Sequence, residues 1–174
     1  MRLRLRLLLV FIASFFRKRL RLDEENVLTL RVLPNDVDVT QVSYDRYLAL
    51  MDLGRINIVL RAGMFRTLLA RRWAPVVRVA AMRYRYPLGM FQSFRLRSRV
   101  IYWDEEWAWT EHVFERNGRT TAIGLTKAMF NSRDGLVPIA KFIEASGQSL
   151  TQPALPGVIG QLQTAEALLR ERQS

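Results

Sequence analysis

Three carboxylates, Asp36, Asp38 and Asp45, lie close together where an alternating apolar run gives way to a helical one. They matter because the chain has no Cys and a single His. A thiol nucleophile, a Cys-based zinc or iron–sulfur site, a disulfide scaffold and any multi-His metal centre are thereby excluded. Chemistry falls to carboxylates, hydroxyls, backbone amides and arginine. Asp36, in Pro34-Asn35-Asp36, suits a turn. Asp38 suits a turn or a helix cap unless it reacts. Asp45 sits in the first turn of a predicted helix, where the helix dipole favours an anion; acting as a base is its other reading.

His112 falls within a predicted strand. A Ser–His–Asp triad needs a nucleophilic Ser beside the ring, and no G-x-S-x-G motif is present, so His112 reads as a strand residue. Arg83, Arg85, Arg95, Arg97 and Arg99 alternate along what read as two adjacent strands, with Tyr84, Tyr86 and Phe94 interleaved. Such a row can hold phosphates or single-stranded nucleic acid, or it can be the solvated outer face of a sheet. With no RNA-recognition or P-loop signature, the outer-face reading is preferred and a nucleic-acid partner is not expected. Trp103, Trp107 and Trp109 flank a turn and read as packing, with a partial pocket role as the alternative.

The elements that must position these groups follow from periodicity. Asn26–Leu33 alternates as a strand and ends at Pro34-Asn35-Asp36. A helix spans about Ser43 to Arg61, with Tyr47, Leu48, Met51, Ile56, Val59 and Leu60 on one side and Gly63 just past its end. Phe65–Arg71 is a shorter helix. Strands are predicted over Pro75–Tyr86, Phe94–Trp103, Trp107–Phe114 and Thr120–Phe130. The turns between them are Pro87-Leu88-Gly89, Asp104-Glu105-Glu106 and Asn117-Gly118. Phe94, Leu96, Val100 and Tyr102 are expected on one face. Two helices close the chain, one from Pro138 to before Gly147 and one from about Val158 to Arg170.

The net charge of +11 is uneven. Residues 1–22 hold Arg2, Arg4, Arg6, Arg17, Lys18, Arg19 and Arg21 and no acid. Within them, Leu7–Phe16 is an uncharged apolar run, too short to span a bilayer comfortably, for which about 20 residues are needed. A cleaved secretory signal fits poorly with the following Arg17-Lys18-Arg19. Two readings stay open: an interfacial anchor with Leu8, Phe11, Ile12 and Phe15 at the acyl boundary, or a helix packed on its own domain or a dimer partner. Residues 2–7 also alternate Arg and Leu, which is strand periodicity. Residues 23–174 read as one domain, with no repeat and no linker.

A strand, a long apolar helix, four antiparallel strands and terminal helices make an α+β chain in two layers. That is the order of the hotdog fold, in which an antiparallel sheet wraps a long central helix. R-V-L-P-N-D-V-D at 31–38 and R-Y-L-A-L-M-D-L-G-R at 46–55 resemble the start of the 4-hydroxybenzoyl-CoA-thioesterase-like hotdog proteins. M-R-Y-R-Y-P-L at 82–88, F-Q-S-F-R-L-R-S-R at 91–99 and W-D-E-E-W at 103–107 extend the likeness. It is to the branch containing thioesterase superfamily member six and bacterial relatives.

The resemblance implies hydrolysis of acyl-CoA or acyl-carrier-protein thioesters by a homodimer or tetramer, with no cofactor and no metal. It places Asp38 as base or nucleophile. The amides of Val42 and Ser43 at the start of the helix become oxyanion donors, and Gln41 positions the thioester or water. A helix N-terminus carries about half a positive charge, and one preorganised oxyanion donor is worth roughly 3 kcal/mol. Relatives show His-Met-Asn-Asn before the R-Y-L, where this chain has Gln41-Val42-Ser43-Tyr44, one residue closer to Asp38. That exchange keeps a second reading open, a hotdog protein that binds an acyl group or a partner at a membrane without turnover. The expected location is the cytoplasm, with peripheral contact at the inner membrane through residues 1–22.

Overall fold

The computed structural model describes residues 4–172. Arg2 lies outside that range, and the side chains of Arg4 and Phe15 are not described. The chain opens with α1 (Arg4–Phe15), β1 (Asn26–Arg31) and a 3-10 turn (Pro34–Asp36). The short strands β2 (Val37–Asp38) and β3 (Gln41–Val42) precede the long helix α2 (Tyr44–Arg61). After α3 (Phe65–Arg71) come β4 (Ala74–Tyr84), β5 (Ser93–Trp103), β6 (Ala108–Arg116) and β7 (Arg119–Ser132). The last elements are β8 (Gly135–Leu136), α4 (Ile139–Ser146) and α5 (Gly157–Glu171).

The main sheet runs β1-β5-β6-β7-β4, antiparallel throughout, with β8 beside the end of β7. Asn117 and Gly118, at φ 51 and 71, make the expected tight β6–β7 turn. β4 and β5 are not neighbours, which corrects the expectation for the arginine row. The segment between them is drawn away to the start of α2. There Val42 N–H donates to the Leu88 carbonyl at 2.8 Å and Gln41 bridges Gly89. Arg83 and Arg85 are therefore separated from Arg95, Arg97 and Arg99 by β6 and β7.

α2 lies on the sheet through Tyr47, Leu50, Met51, Leu53, Gly54, Asn57 and Ile58. Leu48, expected on that stripe, is 42% exposed. The contact row is centred on Leu50, Gly54 and Ile58, because Gly54 lets the helix sit almost on the sheet. A Cβ there would lie 2.3 Å from Ser98 Oγ. Leu28, Val32, Phe94, Leu96 and Phe114 complete this core. A register shift between Val100 and Tyr102 then turns the end of β5 over. Tyr102, expected beside Phe94 and Leu96, instead packs with Trp109, Leu125 and Ile159 beneath α5.

α1 is helical despite the Arg–Leu alternation, because Leu7 and Val10 join the core against α2. No helix among the described residues is long and apolar enough to cross a membrane.

Candidate active site

Asp36 anchors the approach to α2. Its side chain is 3% exposed and accepts Arg6 Nη2 at 2.6 Å and Leu33 N–H at 2.9 Å, both on Oδ2. Arg6 also donates to the Arg31 carbonyl. The turn role expected of Asp36 is present, and a buried ion pair to α1 is added. The Asp36 carbonyl in turn accepts Ser43 N–H at 3.0 Å, fixing where α2 begins.

Past this anchor the chain makes a very tight hairpin. Asp38 and Gln41 are directly opposed across β2 and β3, and both face solvent. Thr40 N–H donates to the Asp38 carbonyl at 2.8 Å. Val39, at the tip, takes φ 61 and is 90% exposed. A β-branched residue in the left-handed region stores strain of about 1–3 kcal/mol. The structure thus brings Asp38 and Gln41 together beside the positive end of α2.

Val42 and Ser43 do not present free amides, which corrects their expected role as oxyanion donors. The Val42 N–H is taken by Leu88 and that of Ser43 by Asp36. Among the described residues no acceptor is paired with the backbone N–H of Tyr44, the first residue of α2. The Ser43 hydroxyl donates to Asp45 and, as the largest cause, lowers that carboxyl below its ordinary value. A carboxyl lowered below its ordinary value is a poorer base, which favours the dipole reading of Asp45. The exposed Tyr44 ring lies 4.9 Å from the Tyr84 ring at a tilt of 59°, and Tyr84 meets Tyr47 edge-on at 5.1 Å.

His112 is a strand residue, as expected, and a serine does stand beside it. Ser98 Oγ lies 2.9 Å from Nδ1 and Thr126 Oγ1 3.2 Å from Nε2. Ser98 and His112 are completely buried under Gly54. Burial, helped by the charge of Arg55, lowers the imidazole to about 3. This is a neutral polar bridge between strands, out of reach of substrate.

The β5 arginines are neutralised on the outer face of the sheet. Arg97 pairs with Glu25 at 2.7 Å and Glu115 at 3.3 Å, Arg95 with Glu115 at 3.8 Å, and Arg99 with Glu111 at 3.6 Å. The hairpin tip differs. Arg116 and Arg119 face each other across the β6–β7 turn. With Tyr86, Pro87, Asn117 and Thr121 they line a hollow of about 450 Å³. The Arg85 guanidinium stands 5.2 Å from the Tyr86 ring centroid. Tyr86 leads through Pro87 and Leu88 to Gly89, the residue bridged to Gln41. Three residues span at most about 11 Å, so the hollow and the Asp38–Gln41 hairpin are neighbours.

A second cavity, about 580 Å³, lies toward the other end of α2. Ile56, Val59, Phe65, Leu68, Trp73 and Phe142 make it apolar, and the ion-paired Asp52 and Arg55 also line it. Burial raises the Asp52 carboxyl and lowers the Arg55 guanidinium. Trp103 and Trp107 belong to the adjoining core and Trp109 packs under α5, so Trp73 is the one tryptophan lining this cavity. Sequence reasoning missed Arg6 and the Arg116–Arg119 pair. Asn117-Gly118 between two arginines was the available signal for the latter.

The chain is similar to a zebrafish (Danio rerio) relative, Protein THEM6, at 34% identity over 91 residues, 52% of this chain and 45% of that protein. Protein THEM6 of Drosophila melanogaster is 22% identical over 122 residues, 68% of this chain and 63% of the relative. The chain thus spans about half to just under two thirds of these relatives. Its fold is that of the hotdog thioesterases. The structure titled BH1999 gentisyl-coenzyme A thioesterase has TM-score 0.61 at 21% identity, covering 71% of this chain and all of that one. The probable thioesterase YbaW from Escherichia coli has TM-score 0.62 at 18% identity, covering 68% and 94%. Residues 32–146 match the thioesterase-like superfamily, and the chain belongs to that superfamily.

Proposed function

We propose that the chain hydrolyses the thioester of an acyl-CoA. The observation that carries this is the solvent-facing Asp38–Gln41 pair at the N-terminal end of α2, in a member of the thioesterase-like superfamily. Asp38 takes a proton from water as the water oxygen attacks the thioester carbon. The carbonyl becomes an oxyanion facing the positive end of α2 and the Tyr44 amide. Gln41 donates through its side-chain amide to the carbonyl or orients the water. The C–S bond then breaks, and the departing thiolate recovers the proton from Asp38, leaving a carboxylic acid and a free thiol. If Asp38 instead attacks the thioester carbon directly, the thiolate leaves and a mixed anhydride forms; water that cleaves it at the Asp38 carbonyl puts one water oxygen into that carboxylate, which isotope labelling in a single turnover detects.

The hollow at Arg116 and Arg119 supports CoA over an acyl-carrier protein. Two arginines, with Arg85 nearby, suit phosphates, and an exposed Tyr86 ring suits a purine. The test compares an acyl-CoA with the same acyl group on N-acetylcysteamine. Arg116→Ala/Arg119→Ala is expected to raise KM for the CoA ester at least tenfold and leave the short thioester unchanged. Equal effects on both, or turnover of carrier-protein esters alone, would overturn the CoA assignment.

A homodimer or tetramer is part of this reading. Among the described residues no strand pairs with the outer edge of the 11-residue β4, which is rich in Val and Ala, an edge suited to a second copy. The occupied amides of Val42 and Ser43 favour the second reading, an acyl-binding protein without turnover. Hydrolysis by the purified chain decides between them.

A further inference from the structure

The structure carries an interaction surface separate from the thioester site. α1 has two parallel rows with the same helical spacing. Arg6, Leu7, Val10 and Ser14 face the body of the protein. Leu8, Leu9 and Ile12, continued by Phe16 in the turn just past the helix, keep the same i, i+1, i+4, i+8 spacing and face outward at 52, 57, 48 and 87% exposure. A surface helix ordinarily turns a polar row to water. Here the outer row is the more apolar of the two.

The neighbours of this row are cationic. Arg17, Lys18 and Arg19 follow it directly and are exposed. Phe11 of α1 packs edge-on against Phe65 of α3 at 4.7 Å, which sets α3 beside α1. α3 and the residue after it add exposed Arg66, Arg71 and Arg72, together with Leu69 at 63% exposure. No Asp or Glu occurs in residues 1–22 or in 53–103, so neither helix brings an acid of its own to this surface.

We propose that the α1–α3 face docks on an anionic lipid surface. Leu8, Leu9, Ile12 and Phe16 enter the acyl boundary, and the six cations meet the headgroups. An apolar row within a cationic surround fits a bilayer interface, which offers acyl chains under anionic headgroups. A second copy of this chain would set the two cationic surrounds against each other. Seating on a membrane also brings α3 to the bilayer, and Phe65, Leu68 and Leu69 of α3 wall the apolar cavity beside α2.

The test is co-sedimentation of the full chain with vesicles of phosphatidylcholine alone or with phosphatidylglycerol added. Binding is expected to the anionic vesicles, to fall steeply with salt, and to be weak on phosphatidylcholine. Leu8→Glu/Ile12→Glu is expected to weaken it at least tenfold with an unchanged melting temperature, since both side chains face outward. Lys18→Glu/Arg66→Glu is expected to weaken it severalfold. If the first variant proves unstable, the second, confined to exposed cations, still decides. No binding at low salt, equal binding by the charge variant, or conversion of an oligomer to monomers by Leu8→Glu/Ile12→Glu would each overturn the proposal. So would salt-sensitive binding to single-stranded nucleic acid that exceeds binding to the vesicles.

Discussion

Replacing Arg6 by Ala removes the cation from a pair whose side chains are 9% and 3% exposed. The Asp36 carboxylate is then buried with one remaining donor among the described residues, the Leu33 amide. Breaking a buried pair from one side costs about 3–5 kcal/mol, because the other charge stays uncompensated. For a chain of this size each 1 kcal/mol moves Tm by about 2–4 °C, so Arg6→Ala should lower Tm by at least about 6 °C. Urea unfolding should give the same loss through the midpoint, with the slope unchanged. Arg6→Met/Asp36→Asn removes both charges and should recover much of the stability, giving a coupling of about 1–3 kcal/mol in the double-mutant cycle. A loss below about 1 kcal/mol for Arg6→Ala, the worth of an exposed pair, would refute the claim that α1 is fastened to the start of α2 through Asp36.

Gly54→Ala places a methyl group 2.3 Å from Ser98 Oγ and 3.2 Å from His112 Nδ1. Overpacking of about 1–3 kcal/mol outweighs the roughly 1 kcal/mol gained in helix propensity, and Tm should fall; a rise would contradict the packing described. His112, lowered to about 3 in the folded chain by burial, remains neutral there while the unfolded chain binds a proton below its ordinary value. Its contribution is complete above about pH 6.5 and lost as pH falls toward 3, reaching about 2 kcal/mol at pH 5. Urea midpoints should fall across that window, and His112→Gln should flatten the slope.

The regular elements were legible because each carries its own period. Phe65–Arg71 was found at its observed bounds, and the long helix within one residue at its start. What local pattern could not show was set by contacts distant in sequence. The bulge that turns Tyr102 to the outer face depends on the pairing of β5 with β6. The separation of Arg83 and Arg85 from the β5 arginines depends on Leu88 and Gly89 being held by β3. Which helical stripe is buried is fixed by Gly54, whose close approach to Ser98 lies across the fold. At the site, Asp38 and Gln41 were named from motif and the structure sets them side by side. The Val42 and Ser43 amides were named in the same way and are occupied, because their acceptors, Leu88 and Asp36, lie outside the motif. Arg6 carried no local signal for a partner 30 residues away.

Asp38 carries the proposed hydrolysis. Its side chain is exposed and, among the described residues, makes no bond that holds the fold, so Asp38→Asn should leave Tm unchanged while removing the proposed base. The measurement is kcat for acyl-CoA hydrolysis by the purified full chain and by Asp38→Asn, with free thiol followed directly. A fall of about 100-fold or more in kcat, the usual worth of a general base, with KM little changed is the predicted result. Turnover in Asp38→Asn equal to that of the unmodified chain would contradict it.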